Sequence, residues 1–593
     1  MKPFKNYAFE SISALICFLY LMGRAAWVPI SHDEAATFFH YIQTENVLPY
    51  LAHWDANNHI LNSILSLWST KLFGNDLIWL RLPNLLSFPV FVYFAFRLTR
   101  FIDESLIRKF VFLALITAWL PLEFFAQARG YGMSLAFILA AILFLIKFQR
   151  SATPGNQFLL WVFSIFAISA NASLSNSYLL LLAFTFLAIA VNKTKRAVNI
   201  LIYVALGIAP FLFFTAYAFE LKNKGLLYYG GNEGFVEITL KTLIKYTLGT
   251  DSLPLVGLIS ALGILSGVFL LVKHVKSTIR NPDPGMVSAI FLLGNVVGAI
   301  LLQLIFEVNY PEDRAAIYLI PYFILTLGFG LDQFQEKLPS LRYVSSILLV
   351  FPIITAANAN FVEVRLWNSL PLSEEVFEQV QKASGEFDRP VVVEGYFLYM
   401  LSWGYYNVNS PEKLPPFMPR RDNMPIADFE VCYAEKCDDY AADYHQIWQN
   451  RENGVSLLRR NDIVEYDVIF EKSAYAIPLN ENEFTELVRL PEQELPDSLH
   501  AIELDIQLTL PDKAPRFNFV ISANNEKGEN ILYDYFSVSW IKPYWNGENL
   551  HFIRLSSLPE ETSEMVFYLW NIDKVEFQAQ VDELKFLKAI GAD

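Results

Sequence analysis

Eleven apolar stretches follow one another through the first 360 residues, at or near the length that a helix needs to cross a bilayer. In lipid every backbone N–H and C=O must be bonded within the chain, so such stretches fold as helices. Several are short or contain Pro or Asn, which leaves one or two as candidates for re-entrant segments. The stretches lie near residues 8–28, 82–98, 107–124, 132–148, 158–172, 176–191, 198–219, 252–272, 286–306, 315–331 and 342–358. A mainly α polytopic membrane domain is therefore predicted for residues 1–360.

The charge of the chain is unevenly divided between its two halves. From residue 361 onward 20 Lys and Arg stand against 41 Asp and Glu, whereas residues 1–360 hold 25 against 19. An apolar, slightly basic half followed by an acidic half indicates a membrane domain joined to a soluble one. Nucleic acid is excluded as a partner, because the acidic half would repel its phosphates.

The cations of the first half predict its orientation, since cytoplasmic connections carry an excess of Lys and Arg. With the N-terminus in the cytoplasm, every second connection is basic and the opposite ones hold far fewer cations. The basic connections hold Lys2, Lys5, Arg97, Arg100, Arg108, Lys109, Lys147, Arg150, Lys193, Lys195, Arg196, Lys273, Lys276, Arg280, Lys337 and Arg342. Eleven spans then place the acidic half outside the cytoplasmic (inner) membrane, in the periplasm. The first stretch is read as a retained helix rather than a signal peptide, because no small-residue cleavage site follows it.

The acidic half divides into two predicted domains. Residues 361–462 pass from a helical pattern into the apolar run VVVEG and back, as in a small exoplasmic α/β domain. Residues 463–593 alternate apolar and polar residues over short runs, which predicts an antiparallel β-sandwich. The aromatics of SWIKPYWNGENLHF are sugar-binding candidates, against the alternative of core or docking surface. Cys432 and Cys437 can form a disulfide if the compartment is oxidising.

The first outer loop carries the side chains best suited to catalysis. Asp33 and Glu34 follow Ser31, and Ser31 with Glu34 fits a helix capping box, which leaves Asp33 unexplained by that device. Asn58 and His59 begin a second amphipathic segment, where they can cap a helix or hold sugar hydroxyls. Metal ligation by His53, Asp55 and His59 is an open alternative to simple hydrogen bonding, although the spacing matches no standard zinc signature.

Two arginines stand beside apolar spans on the predicted outer side. Arg129 lies in a very short connection between spans, where an uncompensated cation is costly. Arg314 follows Glu312 and Asp313 at a predicted helix start, where a cation opposes the helix dipole. Either arginine has a simpler explanation: snorkelling for Arg129, pairing with a neighbouring acid for Arg314. The alternative is an anion held between them, with Lys222 or Lys224, because Arg matches phosphate bidentately.

Together these features resemble the GT-C glycosyltransferases, most closely the protein O-mannosyltransferase and aminoarabinose-transferase group. The acidic first loop carries Asp33-Glu34, and NNHILNSILSLW (57–68) occupies the place of that group's His-Pro-Pro-Leu segment, with Ile60-Leu61 where the family has two prolines. AQARGYGM (126–133), with Arg129 and Tyr131, resembles its Arg-bearing segment, and YPEDRAAIYLIP (310–321) its late one. The resemblance covers roughly residues 8–360; the acidic half is not diagnostic.

The resemblance implies an inverting enzyme that takes a sugar from a polyprenyl-phosphate carrier and passes it to a glycan, lipid or protein acceptor. Asp33 then acts as base or orients the acceptor, Glu34 supports it, and the cations bind phosphate. Asn58, His59 and Tyr131 are expected to contact substrates. No resident cofactor is expected, and a need for a divalent metal stays open. A lipid-linked-sugar flippase and a non-catalytic polysaccharide-binding scaffold are the alternatives; an inverted repeat, which would favour the flippase, is not seen.

Overall fold

The structure is a computed structural model that describes residues 7–191, 195–274, 281–367, 371–420, 425–440, 442–495, 499–510, 516–538 and 550–590. Its contacts divide the chain into two units. The first unit consists of Met1–Val28 and Asn46–Phe361, and the second of Pro29–Glu45 and Val362–Asp593. The units divide near residue 361, and the segment that carries Asp33 and Glu34 packs with the C-terminal half of the chain.

The first unit is helical, and all eleven predicted stretches are helices or helix pairs. Its helices are α1 (Ala8–Trp27), α3 (Ile60–Phe73), α4 (Leu77–Thr99), α5 (Ser105–Thr117), α6 (Trp119–Glu123), α7 (Tyr131–Ser151), α8 (Pro154–Ala170), α9 (Ser175–Val191), α10 (Arg196–Ile202), α11 (Ala209–Asn223), α12 (Lys241–Leu248), α13 (Leu253–His274), α14 (Pro284–Phe306), α15 (Leu319–Gln335), α16 (Leu341–Val344) and α17 (Val350–Ala357); α2 (His32–Thr37) belongs to the second unit. Within the described residues, seven helices are long and apolar enough to cross a membrane. The protein is thus a multi-pass membrane protein.

A further apolar helix pair is bent, and it counts as an eighth span only if the pair crosses the membrane as one. The helices Ser105–Thr117 and Trp119–Ala126 meet at 54°, where Ala118 adopts an extended backbone conformation. Pro121 has no N–H to bond the Thr117 carbonyl, which instead accepts a hydrogen bond from the Thr355 hydroxyl. The predicted stretches 158–172 and 342–358 correspond to shorter apolar helices, Pro154–Ala170 and Leu341–Ala357. The break directs the chain into the connection that carries Arg129.

Three charged side chains are buried near the end of α1. Arg24 forms an ion pair with Glu123, whose carboxylate is 2.8 Å away, and also donates to the Asn360 carbonyl at 2.8 Å. Arg81, fully buried, donates to the Val28 carbonyl at 2.7 Å. A cation at the carboxyl end of a helix satisfies orphan carbonyls and suits the helix dipole. Arg81 therefore fixes the point where the chain leaves the first unit.

The second unit begins its C-terminal part with a mixed sheet and two helices, α18 (Glu374–Ser384) and α19 (Tyr399–Asn409). The strands are β1 (Val393–Gly395), β2 (Met418–Pro419), β3 (Phe429–Tyr433), β4 (Tyr444–Gln449) and β5 (Val455–Arg460). They lie in the order β2-β1-β3-β5-β4, with β1 parallel to β2 and β3 and the other pairs antiparallel. The buried run VVVEG supplies β1, as the predicted α/β domain requires. Cys432 and Cys437 are joined in a disulfide.

The remaining strands form the predicted antiparallel β-sandwich. They are β6 (Tyr466–Lys472), β7 (Tyr475–Asn480), β8 (Phe484–Pro491), β9 (Ala501–Thr509), β10 (Phe517–Asn524), β11 (Asn530–Ser537), β12 (Leu550–Leu555), β13 (Glu564–Asn571) and β14 (Phe577–Ala589). One sheet has the order β11-β10-β13-β8, and the other has the order β12-β9-β14-β6, with β7 also paired to β14. Alternate residues such as Phe519, Phe552 and Phe567 point between the sheets and form the core. Most of SWIKPYWNGENLHF lies outside the described residues.

The sandwich and the α/β sheet share a second, smaller core. Val392 and Ile426 from the α/β part pack with Ile553 and Leu587 from the sandwich. Beside this core Arg389 binds Asp428 bidentately, at 2.7 and 2.8 Å, and also donates to the Val464 carbonyl. A bidentate Arg–carboxylate pair constrains both distance and orientation. The C-terminal half is therefore continuous through this junction.

Candidate active site

The acid pair lies at the start of α2, and its two members have different surroundings. Ser31 is the N-cap: its hydroxyl accepts from the Glu34 amide, and the Glu34 carboxylate accepts from the Ser31 amide at 3.1 Å. Glu34 is fully buried, whereas Asp33 is partly exposed. The capping box that the sequence indicated is present and takes up Ser31 and Glu34. Asp33 is left outside this box, with its carboxylate in the first turn of the helix.

Helix α19 of the C-terminal half supports the acid pair. The Leu398 carbonyl, one residue before α19, lies 3.0 Å from Nδ1 of His32, and the Ser402 hydroxyl donates to the Ile30 carbonyl at 3.3 Å. The ring of Phe38 meets that of Tyr405 edge to face at 5.1 Å. Three contacts along one face of α19 thus hold the segment on both sides of Asp33. This support could not be predicted from the sequence, because the contacting residues are more than 360 positions apart.

In the first unit, Asn84 holds the connection that carries Arg129. Its side-chain amide donates to the carbonyls of Gln127 and Arg129 at 2.8 and 2.7 Å, and also to that of Phe124. Its carbonyl oxygen accepts from the Met133 amide at 2.8 Å. A loop at membrane depth must have its backbone groups satisfied by protein. Asn84 does this for the segment 124–133, a role for which an isolated amide in an apolar span carries no sequence signal.

The structure brings Arg129, His59 and Tyr131 together. Arg129 is fully buried, its guanidinium carbon lies 5.7 Å from the centre of the Tyr131 ring, and it donates to the Asn57 side chain. The rings of His59 and Tyr131 meet at 4.4 Å. Nδ1 of His59 lies 2.6 Å from the Ala170 carbonyl. The result is a buried cation beside an aromatic ring, and that ring in turn contacts an imidazole.

Gly130 permits this close packing. A Cβ at Gly130 would lie 2.1 Å from the Ala170 carbonyl oxygen and 2.9 Å from Cβ of His59. The first of these contacts is with backbone, which cannot rotate away. Asn58, the other predicted contact residue here, donates to the Val47 carbonyl at 3.2 Å and accepts from the Ser63 hydroxyl. It therefore ties the start of α3 to the preceding loop.

Arg314 lies in a second cluster, formed with Tyr229 and Asp313. Its guanidinium lies over the Tyr229 ring, 4.2 Å from the centre, and donates to the Tyr229 hydroxyl. That hydroxyl donates to Asp313 at 2.6 Å, and Arg314 lies 3.5 Å from the other Asp313 oxygen. Burial and the Asp313 carboxylate both raise the pKa of Tyr229 above its usual range. The pairing of Arg314 with Asp313, an alternative drawn from the sequence, is therefore present.

Tyr131 and Tyr229 link the surroundings of the two arginines electrostatically. Burial, Asp313 and Tyr131, the ring beneath Arg129, all raise the pKa of Tyr229. Tyr229 in turn contacts Arg314. The arginines are 185 positions apart in the sequence and belong to the same unit.

The predicted lysines have other contacts. Lys222, near the end of α11, donates its ammonium to the Phe306 carbonyl at the end of α14. Lys224 lies over the Trp54 ring at 4.6 Å. Among the described residues, the group of His, Cys, Asp and Glu placed to hold a metal is Glu503, His551 and Glu583, in the sandwich. Ligation by His53, Asp55 and His59 therefore has no support in the geometry.

An apolar cavity of about 320 Å³ lies among helices of the first unit. It is lined by α12 through Leu243 and Ile244, and by residues of α13, α14, α15 and α17. The same helix α12 contacts the Arg314 loop, since the Thr242 hydroxyl accepts from the Asp313 amide at 3.0 Å. Thr239, just before α12, donates to the Pro311 carbonyl at 2.7 Å. The cavity and the arginine thus share one supporting helix.

No family model matches the chain, and no curated protein is similar to it. Solved structures are similar to it at low identity. ArnT from Cupriavidus metallidurans in the apo state is 11% identical with a TM-score of 0.44, over 76% of this chain and 97% of that one. Arabinosyltransferase EmbB from Mycobacterium smegmatis is 10% identical with a TM-score of 0.36, over 98% and 64%. The oligosaccharyltransferase of Archaeoglobus fulgidus in the apo form is 9% identical with a TM-score of 0.45, over 100% and 98%.

Proposed function

We propose that this protein is an inverting glycosyltransferase of the GT-C type, which transfers a sugar from a polyprenyl-phosphate carrier to a hydroxyl acceptor. The transfer takes place at the outer face of the cytoplasmic membrane. Arg129 and Arg314 bind the phosphate, Asp33 is the base, and Glu34 orients the segment that carries Asp33. Asn58, His59, Tyr131 and Lys222 complete the substrate-binding set.

The observation that carries this proposal is the combination of an apolar cavity with two arginines in one unit. A lipid tail requires an apolar cavity, and its phosphate requires cations at the end of that cavity. Helix α12 lines the apolar cavity and supports the loop that carries Arg314. One of the similar structures, ArnT of Cupriavidus metallidurans, is described as bound to undecaprenyl phosphate. We assign the cavity that α12 lines to part of the polyprenyl tail.

The chemistry follows from the bonds that must form and break. The acceptor oxygen attacks the anomeric carbon, the bond from that carbon to the phosphate oxygen breaks, and the configuration inverts. The acceptor loses its proton to the Asp33 carboxylate as the new bond forms. The leaving polyprenyl phosphate takes the bonding electrons, and fixed guanidinium groups stabilise the charge that develops on it.

The test is transfer of a labelled sugar from its polyprenyl phosphate by the purified full-length protein in nanodiscs. Asp33→Asn keeps the size of the side chain and removes the base, so we expect transfer to fall by about two to four orders of magnitude while donor binding persists. Undiminished transfer by Asp33→Asn would remove Asp33 from the mechanism. Glu34→Gln is the matched variant, in which a weakened capping box lowers thermal stability as well as rate.

A further inference from the structure

Five aromatic side chains lie together on the outer surface of the sandwich, and they take no part in the proposed site. They are Phe484 on β8, Tyr533 and Tyr535 on β11, and Tyr568 and Trp570 on β13, and are called here the aromatic face. Strand register places them on one side of the sheet. Tyr535 and Tyr568 both lie opposite Val520 of β10, and Trp570 lies opposite Phe484. Their neighbours Phe519, Phe536 and Phe567 point the other way, into the core.

The rings of the aromatic face form a connected surface. Phe484 stacks on Trp570 with ring centres 6.1 Å apart and meets Tyr568 at 5.8 Å. Tyr533 lies 6.1 Å from Tyr535, and the Tyr533 and Tyr568 side chains are hydrogen-bonded to each other. Val520, beneath them, is fully buried. The rings of β11 and β13 therefore contact each other over β10.

The aromatic face is nevertheless open to solvent. Phe484, Tyr533 and Tyr535 are 55%, 48% and 52% exposed. Monomeric proteins rarely leave a contiguous aromatic surface unused, and such patches mark binding sites. Tyr and Trp combine an apolar ring with a polar tip, which suits a ligand that has both kinds of surface.

Among the described residues, the rim of the aromatic face offers hydrogen-bonding groups, and its arginine is paired with acids. Arg489 forms ion pairs with Glu486 at 2.7 Å and with Glu564 at 2.6 Å. Asn524 donates to Glu564 at 3.3 Å. These contacts order the rim side chains in advance, which reduces the entropy lost when a ligand binds.

We propose that the aromatic face binds a neutral saccharide chain. A sugar ring has a C–H face that packs on an aromatic ring and hydroxyls at its edge that reach the rim. The half of the chain after residue 360 has 41 acidic against 20 basic side chains, so an anionic lipid surface or an acidic glycan would be repelled. The open, flat shape of a sheet face suits an extended chain of sugars. If the proposed transferase function holds, the bound saccharide chain is the acceptor glycan. The acceptor assignment rests on the proposed function, whereas the binding of a saccharide does not.

The experiment measures binding without transfer. Full-length protein in nanodiscs is applied to immobilised neutral glucan, mannan and galactan hexasaccharides, with no lipid-linked donor present. We expect at least one hexasaccharide to bind, and Tyr535→Ala combined with Tyr568→Ala to weaken that binding by about tenfold or more, since buried aromatic anchors dominate such interfaces. The pair Tyr535→Phe and Tyr568→Phe, which keeps the rings, is expected to retain most of the affinity.

Leu479→Ala on β7 is the matched control, because Leu479 is an exposed apolar side chain (62%) that lies off this sheet. It should bind like the wild type. Equal binding by wild type and the double alanine variant, or no binding to any hexasaccharide, would overturn the proposal. Association with phosphatidylglycerol vesicles, or self-association of the nanodiscs, that disappears in the double alanine variant would also overturn it, in favour of a membrane surface or a second copy. Because Asp33→Asn removes transfer and leaves this binding intact, the two proposals fail separately.

Discussion

Arg129 shows at the scale of one residue how a membrane protein can bury a cation. Its guanidinium is held by Asn57 and packed on Tyr131, and its backbone carbonyl is held by Asn84. The planar, delocalised charge of Arg tolerates such a site and binds phosphate with two parallel hydrogen bonds. Lys would keep the charge but would lose the two parallel N–H donors of the guanidinium.

We therefore expect Arg129→Ala to reduce transfer by about 100-fold or more, and Arg129→Lys to recover only part of the loss. The measurement is kcat and KM for the lipid-linked donor, together with the melting temperature in nanodiscs. Arg100→Ala, which removes an exposed cation at the far end of α4, is the control and should leave both constants unchanged. Wild-type constants for a folded Arg129→Ala would show that this arginine does not bind the phosphate.

Asn84 is expected to act on Arg129 through the Arg129 backbone carbonyl, as a positioning residue. Asn84→Asp replaces a donor amide by an acceptor that faces three carbonyls, and each buried group left without a partner costs about 1–3 kcal/mol. We expect a lower melting temperature and a lower kcat, with Asn84→Gln failing to restore either because the longer side chain does not fit. Asn295→Leu, at a buried amide between α14 and α9 that is bonded to Ser177, should lower stability while kcat remains close to wild type. Equal loss of kcat in both variants would reduce Asn84 to a general packing role.

At the scale of the elements, β9 and β12 are joined by an ion pair that responds to pH. His551 lies 2.7 Å from Glu503, with Asp505, Glu583 and Lys585 nearby. The hydrogen bond to Glu503 raises the pKa of His551 above 6.5, although burial opposes it, and the same bond lowers the pKa of Glu503 below 4.5. The contribution of His551 to stability is complete below pH 6.5 and is lost as the pH rises through its raised pKa. The contribution of Glu503 to stability is present above pH 4.5 and is lost as the pH falls through its lowered pKa.

His551→Gln should therefore destabilise the sandwich at pH 5.5, by roughly 0.5–1 kcal/mol because the pair is partly solvated. The difference from wild type should vanish by pH 9, where the histidine is neutral in both states. Urea unfolding of the full-length protein, followed by the fluorescence of the C-terminal half, measures both values. His445→Gln is the control, since this ring bonds Asn461 rather than a carboxylate. A difference that persists unchanged at pH 9 would contradict the ion-pair assignment.

The elements themselves were predictable from the sequence, and the contacts between distant ones were not. Apolar length is enough to locate α13 or α14, and alternation is enough to locate β9 or β10, because each pattern is local. Arg24 pairs with Glu123, 99 positions away, and Asn84 supports a connection that begins 40 positions later. Helix α2 packs against α19, more than 360 positions away. A single sequence carries no record of such pairs. The capping box at Ser31 was predictable because both partners lie within one turn.

At the scale of the whole molecule, the two units differ in the solvent that they require. The first unit leaves apolar side chains such as Leu265 and Leu304 exposed, at 67% and 68%, where lipid would cover them. The second unit is acidic on its surface and carries a disulfide, which is typical of an oxidising aqueous compartment. We expect insertion with the basic connections in the cytoplasm, which would place each unit in the medium that suits it.

This orientation is tested with single cysteines in a Cys17→Ser background, where the bridged Cys432 and Cys437 do not react. Lys527→Cys lies in the exposed turn between β10 and β11, and Ser151→Cys lies at the exposed end of α7 next to Arg150. In intact cells stripped of their outer wall, we expect a membrane-impermeant maleimide to label Lys527→Cys and to leave Ser151→Cys unlabelled. Permeabilised cells should label both, which controls for accessibility. Labelling of Ser151→Cys alone in intact cells would reverse the orientation and move the arginine clusters and the proposed transfer reaction to the cytoplasmic face.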